Sequence, residues 1–367
     1  MAADLISFAR GAPSADLLPI EAVGVAAAAA LRSDGARALS YGTGIGHPGL
    51  CEWIAQRHGN LEANQVMITN GSLEAGWMLF EHLLEPGDAV IVEQPSYDRT
   101  LLMLEKLGVN RVGIRLEDDG IDVVALERAL ADGAEPKLVH VIPNFHNPAG
   151  CTLSTEKRRR LVELSAEHGF WIFEDDPYRE IRFAGAEPEP TMLELAAGGA
   201  AKVIHASSFS KTVSPGVRVG YLAGDAELIG ALAKHAGETY ISPNMLAESI
   251  VLELCRSGGL DANIELVKVA LAERRDAVVA ALTEQIPEAR FVIPDGGYFL
   301  WLDLSDDADS TAMLPIAKEE GVSFVAGPDF MLEGGEASLR LSFAPVPAAE
   351  VPEGIARIAR ALERQRG

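Results

Sequence analysis

The stretch Ser-Ser-Phe-Ser-Lys-Thr-Val-Ser-Pro-Gly-Val-Arg, residues 207–218, decides how this chain is interpreted. The apolar run directly before it, residues 203–206, is typical of a short buried strand. The serines, the proline and the glycine that follow are typical of a polar turn. The pattern therefore predicts that Lys211 lies just beyond the end of a buried strand, with Arg218 following in the same loop.

Lys211 has two interpretations, because most lysines simply extend into solvent. Three hydroxyl groups before it and Arg218 after it favour a pocket that binds an anion. A lysine that is held beside another cation and partly removed from water has a lowered pKa, and its free amine can attack a carbonyl group to form a Schiff base. This is the chemistry of a lysine that binds pyridoxal phosphate.

Further apolar runs begin at Val66, Ala89, Leu138 and Phe170, and helical patterns separate them. Each run ends in polar residues. Strands that alternate with helices indicate an α/β fold, and ligands bind at the carboxyl ends of its parallel strands. We therefore predict a large domain with a mostly parallel sheet flanked by helices.

The C-terminal part of the chain has a different pattern. A long helix is predicted from Leu260 to Leu282, followed by short strand-like segments and a last helix near residues 350–364. This pattern predicts a smaller α+β domain. We divide the chain into an N-terminal segment (1–40) that contributes to the small domain and covers the active site, a large cofactor-binding domain (41–250) and a C-terminal small domain (251–367).

The composition excludes several classes of protein. The 54 acidic and 31 basic residues give a net charge of −23, so we expect no nucleic-acid or anionic-membrane partner. The three cysteines lie far apart and lack metal-ligand spacing, so we expect no disulfide framework, no metal site and a cytoplasmic location. The alanine-rich run near the start predicts a helix and not a signal peptide or a membrane span.

Residues 44–49 satisfy the dinucleotide-binding pattern G-x-G-x-x-G. We reject that interpretation, because the pattern needs a strand before it and an unbroken helix start after it, and Pro48 lies inside the motif. The alternative is a glycine-rich loop that opens at Tyr41 and leads into a helix over residues 50–57.

The chain resembles the fold-type I pyridoxal-phosphate (PLP) aminotransferases of class I/II, particularly the branch of 2-aminoadipate, kynurenine and aromatic aminotransferases. Ser-Phe-Ser-Lys followed by Pro-Gly-Val-Arg-Val-Gly-Tyr is similar to their cofactor-lysine signature, and the similarity covers nearly the whole chain. The resemblance implies pyridoxal 5'-phosphate as cofactor. It also implies a ping-pong transfer of an amino group between an L-amino acid and a 2-oxo acid, in a homodimer with shared active sites.

The resemblance also implies roles for the residues around the cofactor ring. Lys211 binds the cofactor and moves the alpha proton, Asp175 faces the pyridine nitrogen, and Tyr97 stacks on the ring. Asn147 and Tyr178 contact the phenolic oxygen. The acidic neighbours Glu174 and Asp176 are interpreted as solvated carboxylates or as carboxylates behind the site, and Asp176 is the alternative to Asp175.

The phosphate and the substrate have their own candidate residues. By resemblance, the residues that hold the phosphate are Gly71, Ser72, Ser208 and Arg218, together with Tyr41 of the partner subunit; Leu73 and Ser210 are further cofactor-binding candidates. Locally, Ser72 is an equally good helix N-cap, and Tyr41 could instead pack at an interface. The substrate-binding candidates are Gly11, Arg10, Asn147 and Arg340, where Arg340 pairs with the alpha-carboxylate. Arg10 stands where the family often has glycine, and it either contacts a distal substrate carboxylate or points away.

Two other functions are weighed against transamination. The same cofactor supports decarboxylation, elimination and beta- or gamma-replacement, and the motifs above do not select among these reactions. An aminotransferase-like domain of a transcription regulator is the second alternative. The strongly negative charge and a resemblance that begins near Leu5 argue against that alternative.

Overall fold

The computed structural model describes residues 5–59, 61–185 and 187–367. Its α-helices are α1 (Ile20–Ala38), α2 (Pro48–His58), α3 (Ser72–Leu83), α4 (Asp98–Lys106), α5 (Val123–Ala131), α6 (Thr155–His168), α7 (Met192–Leu195), α8 (Ala226–Thr239), α9 (Met245–Arg256), α10 (Gly259–Gln285), α11 (Ser310–Glu320) and α12 (Val351–Arg366). Its strands are β1 (Ile6–Ser7), β2 (Val66–Thr69), β3 (Ala89–Gln94), β4 (Asn110–Glu117), β5 (Gly120–Ile121), β6 (Pro136–Val141), β7 (Trp171–Asp175), β8 (Lys202–Ser208), β9 (Gly220–Ala223), β10 (Phe299–Asp303), β11 (Val322–Ser323), β12 (Val325–Ala326) and β13 (Ser338–Ser342). No described helix is long and apolar enough to cross a membrane.

The large sheet has the strand order β2-β9-β8-β7-β6-β3-β4-β5. Strands β9 and β5 run antiparallel to their neighbours, and the other strands all run in one direction. The predicted α/β fold with a mostly parallel sheet is therefore confirmed. Because β2, β3, β6, β7 and β8 share a direction, the loops that follow them leave the sheet at the same edge.

Both faces of the sheet are covered, because successive strand residues point to opposite sides. One face presents Leu138, Phe173 and Ile204, which pack with apolar residues of α3 and α8. The opposite face presents Val139 and Ile172, which pack with residues of α5 and α6. Strands buried on both faces explain why their sequences are almost continuously apolar.

The C-terminal part forms a second packed unit around the sheet β10-β13-β12. Its core includes Ile355, Ile358 and Leu362 of α12, as the spacing of these residues predicts, and also Phe8 from the start of the chain. Strand β1 pairs with β11 of this unit. The N-terminal segment thus lies against the C-terminal unit, and the division into three ranges stays a prediction.

Several local predictions need correction. Helix α2, predicted over residues 50–57, begins at Pro48 with His47 as its N-cap. The glycine-rich loop before it follows helix α1 and not a strand, which confirms the rejection of the dinucleotide motif. Ser208, predicted in the turn, is the last residue of β8. Arg218 lies in the loop before β9, as predicted, with a φ of 51°. The N-cap of α3 is Gly71, and Ser72 is its first helical residue.

Candidate active site

A cavity of about 170 Å³ lies where the loops leave the carboxyl edge of the large sheet. The loops after β2, β3, β6, β7 and β8 all reach it. Its lining residues are Ser72, Leu73, Tyr97, Ile142, Asn147, Asp175, Pro177, Tyr178, Ser208, Ser210, Lys211, Pro215 and Arg218. Most of the residues predicted to bind the cofactor are therefore brought together in one place.

Lys211 projects into this cavity from the loop after β8. Its Nζ donates a hydrogen bond to the Gly11 carbonyl at 2.7 Å and lies 5.6 Å and 5.3 Å from the ring centres of Tyr178 and Tyr298. Burial lowers the pKa of Lys211 to about 8, and the charge of Arg340 acts in the same direction. About one amine in ten is therefore neutral and nucleophilic near pH 7.

Asp175 ends strand β7 and is 9% exposed. Its Oδ1 is buried and has no hydrogen-bond partner within residues 5–59, 61–185 and 187–367. A buried carboxylate oxygen without a partner is costly, so the site favours a ligand that supplies a donor or a positive charge. A protonated pyridine nitrogen is such a group.

Of the two interpretations of Glu174 and Asp176, the structure supports carboxylates behind the site and not solvated ones. Glu174 points to the other side of the sheet, where it accepts a hydrogen bond from the Met192 amide at 2.8 Å and lies 3.0 Å from His205 Nδ1. Asp176 accepts a hydrogen bond from Asn144 Nδ2 at 2.7 Å, and burial raises the pKa of its carboxyl to about 6. Both are buried, and only Asp175 of the three lines the cavity.

The opposite end of the cavity is built to hold an anion. Gly71 has a φ of 93°, and a Cβ added there would lie 2.6 Å from Nη2 of Arg218, so the guanidinium approaches the backbone closely. Arg218 is held there by the Asn70 carbonyl, which accepts from its Nη2 at 2.8 Å. The unpaired amides at the start of α3 and the hydroxyls of Ser208 and Ser210, 2.8 Å apart, add hydrogen-bond donors. This arrangement fits a phosphate.

Arg340 lies beside the cavity with a guanidinium that is only partly satisfied. The group is stacked between Phe299 and Phe330, at 4.4 Å and 4.8 Å from their ring centres. Its Nη1 donates to Asn147 Oδ1 at 3.0 Å, and its Nη2 donates to the Ala9 carbonyl at 2.8 Å. Its buried Nε has no partner in the described part of the chain. The site can therefore take a carboxylate.

Two tyrosines complete the wall. Tyr97 is the N-cap of α4, and burial raises the pKa of its hydroxyl to about 12. Burial also raises the pKa of Tyr178 well above its usual range. Both side chains therefore stay neutral at ordinary pH. They offer flat ring faces and hydroxyl donors.

Five predicted residues, Tyr41, Arg10, Gly11, Gly71 and Arg340, are not among the residues that line the cavity. Tyr41 is 84% exposed on this single chain, and Arg10 is exposed as well. Gly11 takes part through its carbonyl, which accepts from Lys211. Gly71 lies behind the lining, where it carries the backbone against Arg218.

Sequence reasoning missed two residues near the site. Tyr298 donates a hydrogen bond from its hydroxyl to the Lys211 carbonyl at 3.1 Å. His140, in strand β6, lies 3.7 Å from Asp175 through its Nε2. The signal was available in both cases, because each is a polar group inside an otherwise apolar strand pattern.

Comparisons with known proteins identify the family of this chain. Residues 3–358 match the family described as aminotransferase class I and II. An aromatic-amino-acid aminotransferase of Thermococcus litoralis is 33% identical, with 99% of this chain and 89% of the relative covered. A 2-aminoadipate transaminase of Thermus thermophilus is 34% identical, with 98% and 90% covered. A solved kynurenine aminotransferase from Pyrococcus horikoshii superposes with a TM-score of 0.94 at 32% identity, covering 100% of this chain and 92% of that one.

Together, the lysine, the carboxylate and the anion cradle form a site that fits an aldehyde cofactor with a phosphate. The chain belongs to the aminotransferase class I and II family. It is a fold-type I, PLP-dependent aminotransferase that acts on an amino acid and a 2-oxo acid. The family favours amino-group transfer over elimination, replacement or decarboxylation as its reaction.

Proposed function

We propose that Lys211 binds pyridoxal 5'-phosphate covalently and, once released by the amino substrate, transfers the proton at the alpha carbon in a ping-pong cycle. When bound, this cofactor withdraws electrons from the alpha carbon. The observation that carries the proposal is the Lys211 amine, whose pKa burial lowers to about 8, in one cavity with the unpartnered Oδ1 of Asp175.

The other groups of the cavity have roles that follow from their chemistry. Asp175 keeps a proton on the ring nitrogen, because the negative charge of its carboxylate favours the cation. Tyr97 stacks on the ring. Asn147 and Tyr178 donate hydrogen bonds to the phenolic oxygen. The phosphate is held by the donors of the α3 N-terminus, the serine hydroxyls and Arg218.

Arg340 orients the substrate through its alpha-carboxylate. The rings of Phe299 and Phe330 restrict its guanidinium, and Asn147 occupies one of its donors. A guanidinium held in this way presents donors in a defined plane, which suits the two oxygens of a carboxylate.

The amino donors named by the relatives give a panel of candidate substrates. We propose that this enzyme acts on L-amino acids of the aromatic, kynurenine and 2-aminoadipate kind, as those proteins do by name. Arg10 then either contacts a distal carboxylate or points away. If 2-aminoadipate is a substrate, Arg10→Ala should raise its KM and leave that of phenylalanine unchanged. If the ratio of these two KM values is unchanged, Arg10 does not contact the distal carboxylate.

The assembly is also a proposal. The exposed Tyr41 would complete the phosphate site of a partner subunit, in a cytoplasmic homodimer. Mixing inactive Tyr41→Ala and Lys211→Ala proteins tests this directly. Shared sites predict that mixed dimers regain activity, because one of their two sites has both residues. A catalytically complete monomer in sedimentation would refute the dimer.

The lysine assignment is tested by reduction of the loaded protein with borohydride, followed by peptide mapping. We expect the label on Lys211 alone. Lys202 is a matched control, since it begins β8, the strand that leads to the Lys211 loop, but lies on the surface, where its amine donates to the Gly169 carbonyl. Lys202→Ala should label normally, and label on any lysine other than Lys211 contradicts the proposal.

A further inference from the structure

We propose that His140 is a positioning residue for the reaction: its imidazole orients the Asp175 carboxylate and stabilises its negative charge, so that Oδ1 is left to hold the ring proton. The inference rests on the proposed role of Asp175. It concerns a side chain that touches neither cofactor nor substrate in the scheme above and that acts only through Asp175.

His140 occupies a position where the fold otherwise places apolar residues. In the sheet it stands opposite Val92 on one side and Phe173 on the other, and its side chain therefore shares their face. Leu138, two residues earlier, is on the same face and belongs to the apolar cluster with Val92 and Phe173. An imidazole with 0% exposure in this cluster loses its hydration.

Nothing in the described residues replaces that hydration. Neither ring nitrogen of His140 has a hydrogen-bond partner within residues 5–59, 61–185 and 187–367. The nearest carboxylate is Asp175, which lies on the same sheet face as Phe173, two residues further along β7. The distance from His140 Nε2 to Asp175 Oδ2 is 3.7 Å. A shift of about 0.8 Å brings this pair to hydrogen-bonding distance.

Among the described residues, the other elements packed around the imidazole present no competing charge to it. From α3, this face receives the apolar residues Ala75 and Phe80. The β3 carboxylate Glu93 belongs to the opposite face, where it accepts from the Ile142 amide and lies 3.0 Å from His146. The ionisable groups on the cavity side of Asp175 are Lys211, Tyr97, Tyr178, Arg218 and Arg340. Those groups act on Asp175 from the side that the cofactor occupies.

The two oxygens of the Asp175 carboxylate therefore have different surroundings. Oδ2 faces the imidazole of His140, and Oδ1 is unpartnered. A donor on Oδ2 stabilises the anion and makes Oδ1 a weaker base. The proton shared between Asp175 and the ring nitrogen then stays on the nitrogen. Without the donor, Asp175 becomes more basic and the positive charge on the ring is partly lost.

The test compares His140→Phe, which removes the donor but keeps an aromatic ring, with His140→Gln, whose amide can still donate. A matched control is His205→Phe, a buried histidine two strands along, paired with Glu174 on the opposite face of the sheet. Three quantities are measured: the midpoint of the pH titration of the bound-cofactor spectrum, the dissociation constant of PLP, and the thermal stability of the apoprotein.

For His140→Phe we expect the spectral midpoint to rise by about one pH unit and PLP affinity to fall about tenfold, the change that the loss of one charge-assisted hydrogen bond produces. The apoprotein should keep its stability, because an unpaired polar group is replaced by an apolar one. His140→Gln should recover part of both changes. His205→Phe should destabilise the apoprotein and leave the spectral midpoint unchanged.

Asp175→Asn separates this inference from the proposed site. If Asp175→Asn moves the midpoint and neither His140 variant does, the imidazole is only structural and the inference is wrong while the site stands. If Asp175→Asn has no effect, both are wrong. If His140→Phe fails to fold, His140→Leu replaces it, because leucine also lacks a donor. If the spectral midpoint and the PLP affinity of His140→Leu, His140→Gln and His140→Asn all equal those of the unmodified protein, the inference is overturned.

Discussion

The rate at which the apoprotein captures PLP should depend on pH through one amine. Only a neutral amine attacks an aldehyde. Lys211 has a pKa lowered from 10.5 to about 8. Near pH 7 about one amine in ten is then neutral, against about one in 3,000 for an ordinary lysine. The buried position therefore multiplies the reactive form by about 300-fold.

The structure also predicts how two substitutions move this pH dependence. The charge of Arg340 lowers the pKa of Lys211 and that of Asp175 raises it. Arg340→Gln should therefore raise the pKa and slow capture near pH 7, whereas Asp175→Asn should lower the pKa and speed capture. Each effect should be about three- to tenfold, since a tenfold change corresponds to one pKa unit.

The assay is stopped-flow absorbance of apoprotein mixed with PLP across a pH series, with parallel samples reduced by borohydride to count the protein that has reacted. In the unmodified protein the rate should rise about tenfold per pH unit below the midpoint and level off above about pH 8. Two results would refute the reasoning: a midpoint near that of free lysine, or a shift of both variants in the same direction.

Three further predictions concern other parts of the site. Lys211→Met should stabilise the apoprotein by about 1–3 kcal/mol near pH 7. The folded-state pKa of Lys211 is below its unfolded value, so protonation of the amine disfavours folding below about pH 8. The gain in stability should fade as pH rises to about 10.5, which urea unfolding at several pH values can measure. Tyr97→Ala should weaken PLP binding by about 0.5–1.5 kcal/mol in equilibrium dialysis, whereas Tyr97→Phe, which keeps the stacking ring, should bind nearly normally. Gly71→Ala should weaken PLP binding about tenfold or more, since its Cβ would meet Arg218 at 2.6 Å and its φ of 93° strains any other residue; normal binding would contradict the proposed phosphate cradle.

The parts of the fold that are local in sequence could be predicted. Buried parallel strands are apolar over several residues, and the polar group at each strand end marks the edge where ligands bind. This is why Lys211, Asp175, Tyr97 and Asn147 could be assigned before the structure placed them in or beside one cavity. The resemblance to the aminotransferases supplied their roles.

The errors come from interactions between distant residues. Glu174 was interpreted without its partner His205, which lies on the next strand and is 31 residues away in the sequence. The burial of Asp176 depends likewise on Asn144. His140 and Tyr298 gain meaning only when the sheet places them near Asp175 and Lys211. The role proposed for Tyr41 requires a second chain, so a single sequence pattern cannot place this residue.

The hydrogen bond from Lys211 to the Gly11 carbonyl has a consequence for the start of the chain. The nitrogen cannot keep that donor geometry while it is bonded to a cofactor carbon, so loading must release Gly11. The residues just before Gly11 stay fastened elsewhere, because Phe8 is buried in the C-terminal core and the Ala9 carbonyl accepts from Arg340. A protease that cuts near Gly11 should therefore distinguish the loaded enzyme from the empty one, and cofactor occupancy becomes readable from the N-terminal end of the protein.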